Sequence, residues 1–185
     1  MTAEVAQWAQ AAAAVAAAFA AIAAALNVWL QNRNARRTRA VDLLLKKETE
    51  FDSERMHKKR AFAAKALLER DPRSGDIAPV LDFIESVASL VNTGDLRKEM
   101  AWYTFYYWFS HYYFACEAVI KTEQARDKAV WTGITILYAS LQRVQVKQGG
   151  NPLPNNLPTA TRAFLESEAR LAPEPETKSL GAASQ

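Results

Sequence analysis

The chain has 185 residues, half of them hydrophobic and 23% charged, which is room for one domain with accessory segments and enough apolar content for a real core. The single cysteine, Cys116, excludes an internal disulfide and a Cys-based zinc site, and two histidines, His57 and His111, exclude a multi-histidine metal site. The formal charge of +3 is unevenly held: residues 1–70 carry twelve Lys/Arg against seven Asp/Glu, and residues 71–185 carry eleven against thirteen, so the basic character belongs to the N-terminal third.

Residues Val5 to Leu30 contain no charged side chain. Twenty-six helical residues rise about 39 Å at about 1.5 Å each, enough to cross a bilayer core of about 30 Å. Alanine dominates: twelve of the sixteen residues from Ala11 to Leu26 are Ala, which is only mildly hydrophobic. Val15, Phe19, Ile22, Leu26, Val28 and Leu30 each favour insertion by about 0.3–0.6 kcal/mol, roughly 2–4 in sum. Trp8 and Trp29 stand where interfacial tryptophans are expected. The expected membrane span therefore includes Val5, Trp8, Val15, Phe19, Ile22, Leu26, Trp29 and Leu30. Its large residues follow a seam of steps of seven, four, three, four and three, with Ala12 filling the missing step. In lipid such a seam flanked by small residues lets helices pair. In water the same pattern is a coiled coil. Only Glu4 precedes the segment, so it lacks the positive flank of a signal peptide. Arg33, Arg36, Arg37 and Arg39 follow it, and by the positive-inside rule they orient the N-terminus outside and the remainder in the cytoplasm. The same arginines suit attraction to anionic lipid, about 1 kcal/mol per basic residue.

Residues 32–50 continue as a basic juxtamembrane helix. Ser53 reads as the N-cap of a helix over Glu54–Arg70, with Met56, Ala63, Ala64, Leu67 and Leu68 inward. Asp71-Pro72-Arg73-Ser74-Gly75 is a turn. Asp76 caps the next helix, in which Ile77, Val80, Leu81, Ile84, Val87, Ala88 and Val91 form a stripe, and Asn92-Thr93-Gly94 stops it. Glu85, with Asp82, Ser86 and Ser89, falls on its polar face and reads as solvated.

Asp95 is the expected cap of an aromatic helix running to about Lys121. Ten of the thirteen residues from Trp102 to Phe114 are Phe, Tyr or Trp. A helix apolar on all sides needs cover on all sides. Trp102, Phe105, Trp108, Phe109 and Tyr113 are the expected bundle core, covered by the helices before and after. His111 is placed on a thin polar edge with Thr104. A second span over Met100–Ile120 is disfavoured by five Tyr, His111 and Glu117. A break near Thr122 precedes a helix over Gln124–Gln148 with the seam Val130, Ile134, Leu137, Leu141 and Val144. Gly149-Gly150-Asn151-Pro152 ends it. A last helix spans Ala160–Leu171, and the Pro-, Glu- and Ser-rich residues 172–185 read as a disordered tail.

The fold class expected is all-α: a single N-terminal transmembrane helix (1–31), the basic juxtamembrane helix (32–50), a cytoplasmic bundle of four to five helices (51–171) and the tail. No catalytic, cofactor-binding or metal motif stands out. His111 and Cys116 are five residues apart and point to different sides of a helix, so they form no ready nucleophile pair. A haem on His111 is outweighed by the ordinary reading of helical aromatics as core. The groups Arg33–Arg39 and His57-Lys58-Lys59-Arg60 come without a nucleic-acid-binding module, so no nucleic-acid partner is expected. The expected role is a non-enzymatic, membrane-anchored domain for interaction or scaffolding, with no cofactor. Its partners are the lipid bilayer and either a homo-oligomer or an unidentified protein. The alternatives are a soluble Ala-rich coiled-coil structural protein and an enzyme or cofactor binder using His111 and Glu117.

The apolar N-terminal segment, Arg55 and Arg60 with Ala64 and Leu67, Phe83-Ile84-Glu85, Leu90-Val91-Asn92-Thr93-Gly94-Asp95-Leu96 and Tyr107-Trp108-Phe109 together resemble an uncharacterised family of small bacterial membrane-anchored helical proteins. The resemblance covers about residues 5–148. It implies one N-terminal span followed by a compact helical domain, and no activity.

Overall fold

The structure, a computed structural model, describes residues 2–69, 74–151 and 158–171; the side chains of residues 2–7, 9–18, 20, 74 and 158 lie outside that description. The described residues form six α-helices and no strand: α1 (Thr2–Phe51), α2 (Glu54–Leu68), α3 (Ser74–Asn92), α4 (Lys98–Arg126), α5 (Thr132–Lys147) and α6 (Pro158–Ala169). The chain divides into two compact units, Met1–Asp42 and Leu43–Gln185, with the boundary inside α1. The expected all-α class therefore holds. The expected turn at Asp71-Pro72-Arg73, the loop over Pro152–Leu157 and the tail lie outside the described residues.

In the first unit α1 is helical through Ala-rich residues that lack any breaker. Its described large side chains are all exposed, from Trp8 at 77% to Val41 at 45%. Among the described residues no helix is long and apolar enough to cross a membrane. Much of the expected span, including the side chains of Val5 and Val15, lies outside the described residues.

The second unit begins earlier than residue 51 because the last turns of α1 already pack on its core: Leu44 is partly buried and Phe51 is 3% exposed. Asp52 and Ser53 interrupt the helix. Ser53 takes an extended conformation, and its Oγ accepts the Met56 N–H at 3.2 Å while donating to the Glu50 carbonyl at 2.7 Å, so one side chain ends α1 and caps α2. At the end of α3, Gly94 adopts φ +78, a backbone that side-chain-bearing residues rarely take. The chain turns back there, the Leu96 N–H reaches the Leu90 carbonyl at 2.9 Å, and the Leu96 side chain is buried. Asp95 does not cap α4. The cap position is Arg97, which contributes no side-chain bond, and Asp95 instead accepts from the Thr93 hydroxyl at 2.9 Å. Thr122 does not break α4 either: its hydroxyl bonds back to the Ala118 carbonyl and the helix runs on to Arg126, which shortens the expected fifth helix to Thr132–Lys147.

α4 is central. Ala101, Phe105, Phe109, Tyr112, Cys116 and Ile120, at steps of four and three, form its buried seam. Phe105 stacks on Phe109 with ring centres 5.1 Å apart. Phe83 from α3 meets both edge-on at 6.0 and 6.3 Å, and Phe51 meets Phe83 at 5.3 Å and Phe105 at 5.7 Å. Such pairs contribute about 0.5–1.5 kcal/mol each beyond the burial itself. Of the five expected core aromatics, Phe105 and Phe109 are buried, whereas Trp102, Trp108 and Tyr113 are partly buried against the core.

The expectation that the helix is covered on all sides is corrected. Tyr103 is 86% exposed and Tyr107 53%, because the aromatics occupy consecutive positions and a helix turns only one stripe inward. α4 packs chiefly on α3, α5 and α6, with Phe51 at the end of α1 against Phe105 and Trp108, while α2 packs chiefly on α3 and α6.

Candidate functional site

The only buried charges among the described residues meet where α2, α4 and α6 converge. Arg60 occupies the inward stripe of α2, one turn after Met56 and one before Ala64. Glu168 lies one turn after Phe164 on α6, and both are buried. The Arg60 Nε and Nη2 each donate to a different Glu168 oxygen at 2.6 Å. Tyr112 from α4 donates its hydroxyl to Glu168 Oε2 at 2.8 Å. The Arg60 guanidinium also lies 4.1 Å from the Phe51 ring centre, a cation–π contact. Burial first, then the Glu168 carboxylate, holds the Tyr112 hydroxyl well above its ordinary pKa, so it stays a donor. Arg60 is thus withdrawn from the basic group His57-Lys58-Lys59-Arg60 to which its sequence neighbours assign it.

Beside this cluster the His111 ring stacks on Phe164 at 4.7 Å with planes 15° apart, and Tyr107 meets it edge-on at 4.7 Å. His111 is 4% exposed and not on a polar edge; its Nδ1 has no hydrogen-bond partner, and burial lowers its pKa. Ser110 Oγ is likewise buried without a partner.

A second polar contact joins α3 to the start of α5. Glu85 accepts the backbone N–H of Gly133 at 3.0 Å and of Ile134 at 2.8 Å, capping α5 from a different helix. One turn away, the Trp131 indole donates to Asp82 at 2.9 Å, and Trp131 itself holds φ 50, in the left-handed region. The expectation that Glu85 is a solvated surface residue is therefore corrected. A polar residue on an outer helix face becomes a cap when another helix begins beside it, and the α3 sequence alone carries no sign of that.

These arrangements hold helices together and present little chemistry. Both Glu168 oxygens are occupied, which leaves it poorly placed as an acid or base. Burial pushes the Cys116 thiol up to about 12, so it is not a ready nucleophile. Glu117 pairs with Lys121 at 2.7 Å and is partly exposed, whereas His111 is sealed, so the structure does not bring those two into one site. Among the described residues no group of three or more His, Cys, Asp or Glu is arranged to hold a metal ion. Arg33, Arg36, Arg37 and Arg39 are exposed along α1, with the Arg33 guanidinium 5.5 Å from the Trp29 ring centre.

The fold and its polar contacts define an all-helical protein in which buried charge serves helix docking. Residues 10–140 match the model of a domain of unknown function, DUF4760, which is more than half of the 185 residues, and the chain belongs to that family. No curated protein and no solved structure matches it. The family-like residues have identifiable tasks: Arg60 forms the buried pair, Phe83 joins the aromatic cluster, Glu85 caps α5 and Leu96 seals the α3–α4 turn.

Proposed function

We propose that the chain is a membrane-anchored, non-enzymatic helical module whose second unit serves protein interaction or scaffolding at the cytoplasmic membrane face. The observation that carries the anchor is how α1 divides. An interfacial amphipathic helix separates apolar from charged residues around its axis. α1 separates them along its length: Val5–Leu30 are without charge, and Arg33, Arg36, Arg37 and Arg39 follow. Trp8, Phe19, Ile22, Leu26, Val28, Trp29 and Leu30 are exposed. A lipid bilayer is the environment in which such exposure is favourable.

A water-soluble coiled coil fits less well. Continuing the seam by four and three beyond Trp29 places Arg33 and Arg36 on it, so parallel copies would set like charges against each other. Pairing limited to the uncharged part of α1 is compatible with a homo-oligomer in lipid. The non-enzymatic part is supported by the occupied carboxylates and the sealed His111.

The test uses cysteines placed at Thr2 and Ser184 in the full chain, against the buried, unreactive Cys116. The Thr2 position labels from outside intact cells and Ser184 only after lysis, while the protein resists alkaline carbonate. Extraction by carbonate, with both sites labelled only after lysis, overturns the anchor.

A further inference from the structure

We propose that α6 is a pH-gated clasp: acidification releases it from α2 and α4 because Phe164 of α6 covers the His111 ring while its Nδ1 is buried without a partner. The geometry is a buried imidazole under α6. One face of the ring lies flat on Phe164 of α6, the edge of Tyr107 closes another side, and Nδ1 is buried with no partner. A protonated ring carries an N–H on both nitrogens, and the one at Nδ1 meets no acceptor in this setting.

The ionisable groups on the packed elements do not relieve this. On α4 they are Tyr107 and Tyr112; on α6, Glu168; on α2, Arg60. Glu168 is the natural acceptor for an imidazolium, yet Arg60 and Tyr112 already engage both of its oxygens, and Arg60 is itself a cation. Lifting α6 takes away Phe164 and opens the ring to water.

The direction follows from the two states. With α6 docked, burial holds His111 below its ordinary value of 6.5; with α6 lifted, the ring returns toward that value. The open form then binds more protons below about pH 6.5, so docking is at full strength above that pH and weakens as the pH falls through it, by up to about tenfold per unit. The element released is the one that buries Phe164, Leu165 and Glu168. Release exposes the Arg60 guanidinium and the Tyr112 hydroxyl together.

The experiment is hydrogen exchange of the full chain in detergent micelles between pH 7.5 and pH 5. Protection of α6 peptides is read against α3 peptides in the same sample, which cancels the intrinsic pH dependence. In the unaltered chain the α6-to-α3 ratio should fall as the pH drops below about 6.5, by no more than about tenfold per unit. In H111F, which keeps the ring stack and removes the titration, the ratio should stay flat. A flat ratio in the unaltered chain overturns the proposal, and so does an equal fall in H111F, which would place the trigger at another group. Should H111F fail to fold, the ring titration of His111 by NMR decides: a midpoint at or above about 6.5 in the folded protein overturns the gate.

Discussion

Replacing Glu168 by Ala should be among the most damaging single changes in the second unit. Arg60 and Glu168 side chains are 5% and 6% exposed, and the pair is bidentate at 2.6 Å. Removing one member leaves a guanidinium in the interior without its counter-ion, which costs about 3–5 kcal/mol. Tyr112 loses its acceptor in the same step. Against a typical domain stability of about 5–15 kcal/mol this is a large share. With a urea slope of about 1–3 kcal/mol per molar, the unfolding midpoint should move down by about 2 M. The size of that loss is not the worth of the pair itself. Two charges buried together gain from each other roughly what they lost in leaving water, so the double change R60M/E168L should recover most of the stability, short of what the Tyr112 hydroxyl loses with its acceptor. The assay is urea unfolding of the full chain followed by circular dichroism and tryptophan fluorescence, on both single variants and the double. A loss under about 1 kcal/mol in E168A, the range of an exposed pair, would refute the reasoning and mean that α6 does not bury this carboxylate.

Two further outcomes follow from the packing. A Cβ added at Gly133 would lie 2.6 Å from Glu85 Oε1, so G133A should push the carboxylate off the α5 N-terminus and cost about 1–2 kcal/mol; E85A should cost about the same, and the double variant should cost less than the sum of the two, measured by thermal unfolding. F105A and F109A, which empty the aromatic core, should each cost about 3–5 kcal/mol, whereas Y103A on the exposed side of the same helix should stay within about 0.5 kcal/mol.

Those last two numbers show what the sequence could and could not reveal. The helices were legible because their signals are local: Ser53 before α2, Gly94 after α3 and the stripe Ile77–Val87 are each set by neighbours a turn away. Most of the seam of α5, Ile134, Leu137, Leu141 and Val144, is also buried as its spacing predicts. The aromatic run was misleading for the opposite reason. Ten aromatics in thirteen positions erase the contrast between faces, so periodicity gave no way to tell buried Phe105 from exposed Tyr103. The arrival of α3, α5, α6 and the end of α1 against part of its surface breaks the tie.

The polar contacts were hidden for a different reason, which is distance along the chain. Arg60 and Glu168 are separated by 108 positions, and Glu85 lies 48 positions from Gly133. Nothing in a run of ten residues announces such a partner. One positional signal was nevertheless present. Arg60 falls in the inward stripe of α2, a turn from Met56 on one side and Ala64 on the other, where an unpaired charge would not be tolerated. Its apparent membership in His57-Lys58-Lys59-Arg60 concealed that position, because a basic cluster is read along the sequence while burial is decided around the helix. The four arginines after Leu30 make the contrast. Arg33, Arg36, Arg37 and Arg39 are exposed and follow an uncharged segment, so their sequence order carries the meaning; for Arg60 the helical phase carries it. The same residue type therefore takes different places in one chain, exposed along a helix in the first unit and buried for docking in the second.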